Sequence, residues 1–169
     1  TDTREIIVEI LLDLEKGQDF SHKLIKAVLD KYDYLDPRDK AFIKRVTEGT
    51  IERQLELDYY LNRFSSVPVR KMKPLIRCLL RMSTYQILYM DAVPDSAVCN
   101  EACKLAAKRG FRTLKGFVNA VLRSIARSKD NMPMPDSADP VKYFSVKYSM
   151  PEWIVNRHGG NGNTSHGTA

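Results

Sequence analysis

The side chains that could do chemistry in this chain are mostly cations, and they crowd into one stretch. Arg77 and Arg81 stand one helical turn apart, as do Lys104 and Lys108, and Arg109, Arg112 and Lys115 follow closely. Lys115, Asn119, Arg123 and Arg127 then recur at successive i+4 steps, so a helix there sets them along one ridge. Groups arranged in this way neutralise phosphates, and Phe117 and Asn119 at the start of the same helix add a ring face and an amide. Together they suit single-stranded RNA better than base readout in a duplex. On periodicity alone Phe117 also fits as a core aromatic.

The distribution of charge supports the same reading. Residues 1–69 hold 11 Lys/Arg against 14 Asp/Glu, residues 70–129 hold 13 against 3, and residues 130–169 hold 3 against 4. The net charge of +6 therefore sits in one contiguous third, as expected of a surface that meets phosphate. The competing arrangement is a basic helix pair balanced in space by the acidic first helix.

Other chemistries are poorly served. Cys99 and Cys103 have an i, i+4 spacing that could hold a metal with His22, but no second cysteine pair or His-x-x-x-His run accompanies them. They read as core-edge thiols, and no metal site is assigned. The glycine-rich segment from Gly159 to Gly162 follows no strand and precedes no helix, so it lacks the setting of a phosphate-binding loop. A Gly-x-Ser-x-Gly elbow and a Walker-type lysine are absent, and no catalytic residue is assigned. The chain alone does not read as an enzyme.

Helices must position these residues. Ile6, Ile7, Ile10, Leu11 and Leu14 recur at helical spacing before Gly17, and Ser21 can cap a second helix reaching about Tyr32. Asp36-Pro37-Arg38-Asp39 is a strong start for a third, with Phe42, Ile43, Val46, Ile51 and Leu55 inward and Gly49 marking a close helix crossing. A shorter segment runs from Leu57 to Phe64. After a connector over 65–73, Pro74 opens a long helix, Asp95 or Ser96 caps the next, and Gly110 ends it. The ridge helix follows, burying Val118, Val121, Leu122 and Ile125. No segment alternates with period two, so the expected fold class is all-α: two packed three-helix bundles, then short linker helices from Asp139-Pro140 and from Ser149.

The expected domains are 1–128 for RNA binding, 129–155 as a linker, and 156–169 as a disordered, non-native tail. A 169-residue chain that is 43% hydrophobic can bury a full core. Three cysteines, no membrane-length apolar run and no signal-peptide layout point to the cytoplasm.

The wording also matters. Val93-Pro94, the run from Asn100 to Ala106 and the run from Gly116 to Arg123 resemble the NusB family of RNA-binding domains. So do the helix from Asp39 to Gly49 and the segment from Leu80 to Gln86. The resemblance implies a NusB-like fold that binds RNA. Free-standing NusB, an antitermination factor, usually has Gly and Leu-Asp where this chain has Ala120 and Leu122-Arg123. Arg123, with the downstream run from Tyr148 to Ile154, is more similar to the N-terminal domain of the RsmB/Sun-type ribosomal RNA cytosine-5 methyltransferases. That likeness implies small-subunit ribosomal RNA and the chain's own methyltransferase domain as partners. The alternative, a NusB-like transcription antitermination factor acting as a protein–protein adaptor, implies a ribosomal protein as partner. The methyltransferase likeness also implies no cofactor in this chain, S-adenosylmethionine being expected for the missing catalytic domain. The Pro-Cys and Thr-Cys motifs of that domain are absent, and the pattern is left near Asn156, as in a truncated gene product or an artificial chain.

Overall fold

Short polar signals start and stop the helices where local chemistry requires it. The computed structural model describes residues 2–17 and 21–163, except the side chains of 21 and 159–163; regular structure among the described residues is entirely helical. Helix α1 (Thr3–Glu15) starts at Asp2, whose carboxylate accepts the Arg4 N–H at 3.0 Å, and it stops at Gly17 with φ of +69°. Helix α2 (Ser21–Lys31) follows; the Ser21 side chain, expected as its cap, is not among what is described. Helix α3 (Pro37–Glu52) has the expected start, with Asp36 accepting the Arg38 N–H at 2.8 Å and proline at the first position. These helices pack on one another as the first bundle, with Ile7, Ile10, Ile43 and Val46 in its core.

The chain kinks at Arg53 (φ −97°, ψ 13°) and resumes at once as α4 (Gln54–Phe64). This break changes the helical phase, so Leu55, expected to point inward on α3, lies exposed on α4. A 3-10 turn at Val69–Lys71 leads to α5 (Pro74–Tyr89), which is buried along nearly its whole length against α1, α3 and α4. At Gly49 a Cβ would collide with the Tyr85 ring, so the close crossing read from the sequence is that of α3 over α5.

Helices α6 (Asp95–Lys108) and α7 (Lys115–Ser128) complete the second bundle around α5. Neither Asp95 nor Ser96 caps α6: Pro94 occupies that position without a side-chain bond, and the Asp95 carboxylate meets Lys129 Nζ at 3.0 Å instead. The α6 end is a Schellman motif, with the Phe111 N–H on Ala106 O (2.8 Å), the Gly110 N–H on Ala107 O (3.3 Å) and Gly110 at φ +90°.

Beyond α7 the irregular segment 129–139 returns the chain to α4. There α8 (Pro140–Tyr148) buries Ser145 and Val146. Arg53 Nη2 donates to Lys147 O at 2.8 Å, and the Glu56 N–H donates to Ser149 Oγ at 3.3 Å. Helix α9 (Glu152–Asn163) then runs through residues 156–163, which the sequence reading assigned to a disordered tail. Residues 164–169 lie outside the described residues.

Candidate nucleic-acid interface

Helix α7 divides as its sequence spacing requires. Val118, Val121, Leu122 and Ile125 are buried, while Lys115, Gly116, Ala120 and Arg127 are exposed along the opposite side. Arg123 is half-buried between two helices: Nε donates to Asn119 Oδ1 at 3.1 Å, and Nη2 to Asn100 Oδ1 on α6 at 3.4 Å. Arg127 Nη2 donates to Ser124 Oγ at 3.2 Å. These acceptors are neutral, so each guanidinium is oriented without losing its charge. Arg112 and Lys115 are exposed, and neither has an ion pair among the described residues. Lys104 stands 3.5 Å from Glu101 on its own helix, with a side chain 73% exposed. Water screens such a pair, which leaves Lys104 available.

Other predicted contact residues are paired with acids, Arg77 and Arg81 within the fold and Lys108 and Arg109 at its surface. Arg77 grips Glu15 with two bonds of 2.6 and 2.8 Å. Arg81 is buried, binds both oxygens of Asp58 at 2.7 and 2.8 Å, and adds a 3.1 Å bond to Glu15. Lys108 reaches Glu5 at 2.6 Å, and Arg109 pairs with Glu9 and lies 3.7 Å from Glu5. Arg77, Arg81, Lys108 and Arg109, expected as RNA contacts, are thus each paired with an acid. The acids that balance these four are Glu5, Glu9 and Glu15 of α1, with Asp58 of α4 for Arg81. Burial tends to raise the Glu15 carboxyl, but the hydrogen bond and charge of Arg77, with Arg81 behind it, hold it below the ordinary value. Phe117 is half-buried and packs against the core, leaving only part of its ring as a stacking face.

The ridge that remains is Lys104, Arg112, Lys115, Asn119, Arg123 and Arg127, with Asn100 as a member the sequence reading missed. Asn100 acts across helices, so no periodicity within α7 reveals it. The i, i+4 spacing of Glu5 and Glu9 was the available signal for the acids that take Lys108 and Arg109. Cys99 and Cys103 lie under the ridge, where burial pushes both thiols up against the pull of Arg123 and Lys115. Among the described residues no group of three or more His, Cys, Asp or Glu side chains converges as a metal site. Among the described residues no helix is long and apolar enough to cross a membrane.

The comparisons with known proteins agree with this architecture. The probable ribosomal RNA small subunit methyltransferase B of Bacillus subtilis (strain 168) is 38% identical over 156 residues, which is 92% of this chain and 34% of that protein. The chain therefore spans about a third of the methyltransferase relatives it matches. The transcription antitermination protein NusB of Acetivibrio thermocellus is 27% identical over 128 residues, covering 75% of this chain and 88% of that protein. A crystal structure of antitermination factors NusB and NusE in complex with dsRNA superposes with a TM-score of 0.67 at 16% identity, over 75% of this chain and 94% of that one, which speaks for the fold. The NusB family matches residues 1–127, and the chain belongs to that family.

Proposed function

We propose that this domain docks small-subunit ribosomal RNA for a cytosine-5 methyltransferase domain that lies outside these residues. The observation that carries the reading is Arg123, held between the Asn100 and Asn119 amides with its charge uncompensated on a ridge of further unspent cations. Phosphates settle on Arg112, Lys115, Arg123 and Arg127, and the Asn119 amide and the exposed part of Phe117 border the strand. The Bacillus methyltransferase relative is 38% identical over 156 residues, whereas the Acetivibrio NusB is 27% identical over 128. This favours the methyltransferase group over free-standing NusB.

The residues present do not fit S-adenosylmethionine or a cysteine nucleophile. Glycines 159, 160 and 162 fall within α9 rather than after a strand, and Cys78 is buried, with burial pushing its thiol up to about 12. Binding of that cofactor and methyl transfer therefore belong to the absent domain in this proposal. The test is fluorescence anisotropy with a small-subunit ribosomal RNA fragment against an antitermination-site RNA. Tighter binding of the ribosomal fragment is expected; preference for the antitermination RNA would instead support a NusB-type adaptor.

A further inference from the structure

A second basic surface lies away from α7. From Tyr59 to Met90 the sequence contains no acidic residue, and Arg63, Arg70, Lys71 and Lys73 on this stretch are exposed, with no ion pair or side-chain hydrogen bond among the described residues. Arg70 lines a cleft of about 820 Å³ between the end of α1, α4 and the turn before α5, and Lys71 and Lys73 follow it on that turn. Such a volume falls within the range of ordinary ligand sites, roughly 300–1,000 Å³.

The cleft contains two acids: Glu15, which is bonded to Arg77 and Arg81, and Asp58, which is bonded to Arg81. Their charges are matched, so Arg70 in the wall is left as uncompensated positive charge. The wall is also well braced. Asn62 Oδ1 accepts the Val69 N–H at 2.9 Å, while Ser65 Oγ both accepts from the Val67 N–H and donates to its carbonyl. That bond orients Asn62 with its NH₂ as the remaining donor. Gln54 and Ser66 also line the cleft, and their side chains have no partner among the described residues.

We propose that this cleft is a second RNA site, in which Arg70 in its wall and Lys71 and Lys73 on the adjoining turn hold phosphodiesters and the Gln54 and Asn62 amides meet the edge of an unstacked base. The proposal rests on the reading that the domain binds RNA, and it adds a contact region distinct from the α7 ridge. Glu15 marks the cleft and Glu5 marks the α6–α7 turn; ten residues along α1 set them about 15 Å apart, a span that a few nucleotides bridge.

The test compares two neutralised proteins: Arg70→Gln/Lys71→Gln/Lys73→Gln in the cleft and Arg112→Gln/Lys115→Gln/Arg123→Gln on the ridge. Affinity for a single-stranded ribosomal RNA oligonucleotide is measured by anisotropy between about 50 and 200 mM salt. The cleft cations have no partner to lose, so the thermal melt of that variant should match the parent. Each lost phosphate contact should lower the slope of log affinity against log salt by about 0.7, or about 2 for the cleft set. The ridge set should lower it independently, and Gln54→Ala should alter base preference with the slope intact. A cleft variant with the parental slope beside a weakened ridge variant would overturn the second site and leave the ridge standing. No binding by the parent protein would instead remove the RNA reading and the cleft with it. An unchanged base preference in Gln54→Ala would overturn the base contact.

Discussion

Replacing Arg112, Lys115 and Arg123 by glutamine should flatten the salt dependence of RNA binding, while erasing the Lys108 and Arg109 pairs should not. The distinction comes from what each cation touches. Arg123 is held by amide oxygens, so binding a phosphate lets it displace counterions from the RNA. Lys108 is bonded to Glu5 at 2.6 Å, a contact that also raises its pKa, first through the hydrogen bond and then through the charge of Glu5. The pair presents little net charge to a strand. At about 0.7 per contact, three ridge cations account for a slope change of about 2, so a fourfold rise in salt should cost the ridge variant roughly 20-fold less affinity than it costs the parent. Removing Lys108 and Arg109 alone would leave Glu5 and Glu9 unopposed and add repulsion. The fair control is therefore Glu5→Gln/Glu9→Gln/Lys108→Gln/Arg109→Gln, which deletes both sides of the pairs. Anisotropy titrations across the salt range supply the slopes. If the control loses as much slope as the ridge variant, sorting the cations by their acceptors is wrong.

Other consequences concern stability. Gly49→Ala forces a methyl into the Tyr85 ring; overpacking costs about 1–3 kcal/mol against up to about 1 kcal/mol gained in helix propensity, so thermal denaturation should show a net loss. Asp58→Asn removes the two-oxygen partner of buried Arg81 and should cost up to about 3 kcal/mol in denaturant unfolding, with Glu15 retaining part of the interaction. The folded-state pKa of Glu15 lies below its unfolded value, so its contribution is full above the unfolded value and is lost as pH falls through the folded one. Glu15→Gln should therefore flatten the acid limb of stability against pH, and an unchanged limb would dismiss its pairing. Arg53→Ala should release the end of α8 and speed proteolysis within 129–139 ahead of global unfolding.

What the sequence revealed was local. Asp36 caps α3 through a bond to the N–H two residues on, and Gly17 and Gly110 supply the positive φ that ends α1 and α6, so the signal and its structural effect are neighbours in the chain. The α7 core face follows from spacing for the same reason. The kink at Arg53 carries no glycine or proline, and nothing nearby announces it. Asp95 reads as a cap until Lys129 is brought to it by the packing of the second bundle. The pairing of Arg77 with Glu15 and of Lys108 with Glu5 joins residues 62 and 103 positions apart, which charge counts over contiguous segments cannot register. Asn100 was hidden likewise, because its role exists only where α6 lies beside α7.

The segment after α7 shows why a family boundary and a packing boundary need not coincide. The family match ends at residue 127, yet Met134 and Ser149 beyond it contact the Tyr60 hydroxyl and the Glu56 N–H. Glu56 is only 5% exposed, and its carboxylate accepts from Arg53 Nε at 3.0 Å, from the Tyr60 hydroxyl at 3.2 Å and from the Tyr89 hydroxyl. A buried carboxylate requires such donors, and Arg53 is also the group that holds Lys147 O. One guanidinium thus satisfies an internal charge and anchors α8, and burial with the nearby Glu56 pushes the Tyr60 phenol up. Residues 129–150 therefore behave as part of the folded unit rather than as a slack tether, and any catalytic domain following them would begin from a fixed point on α4.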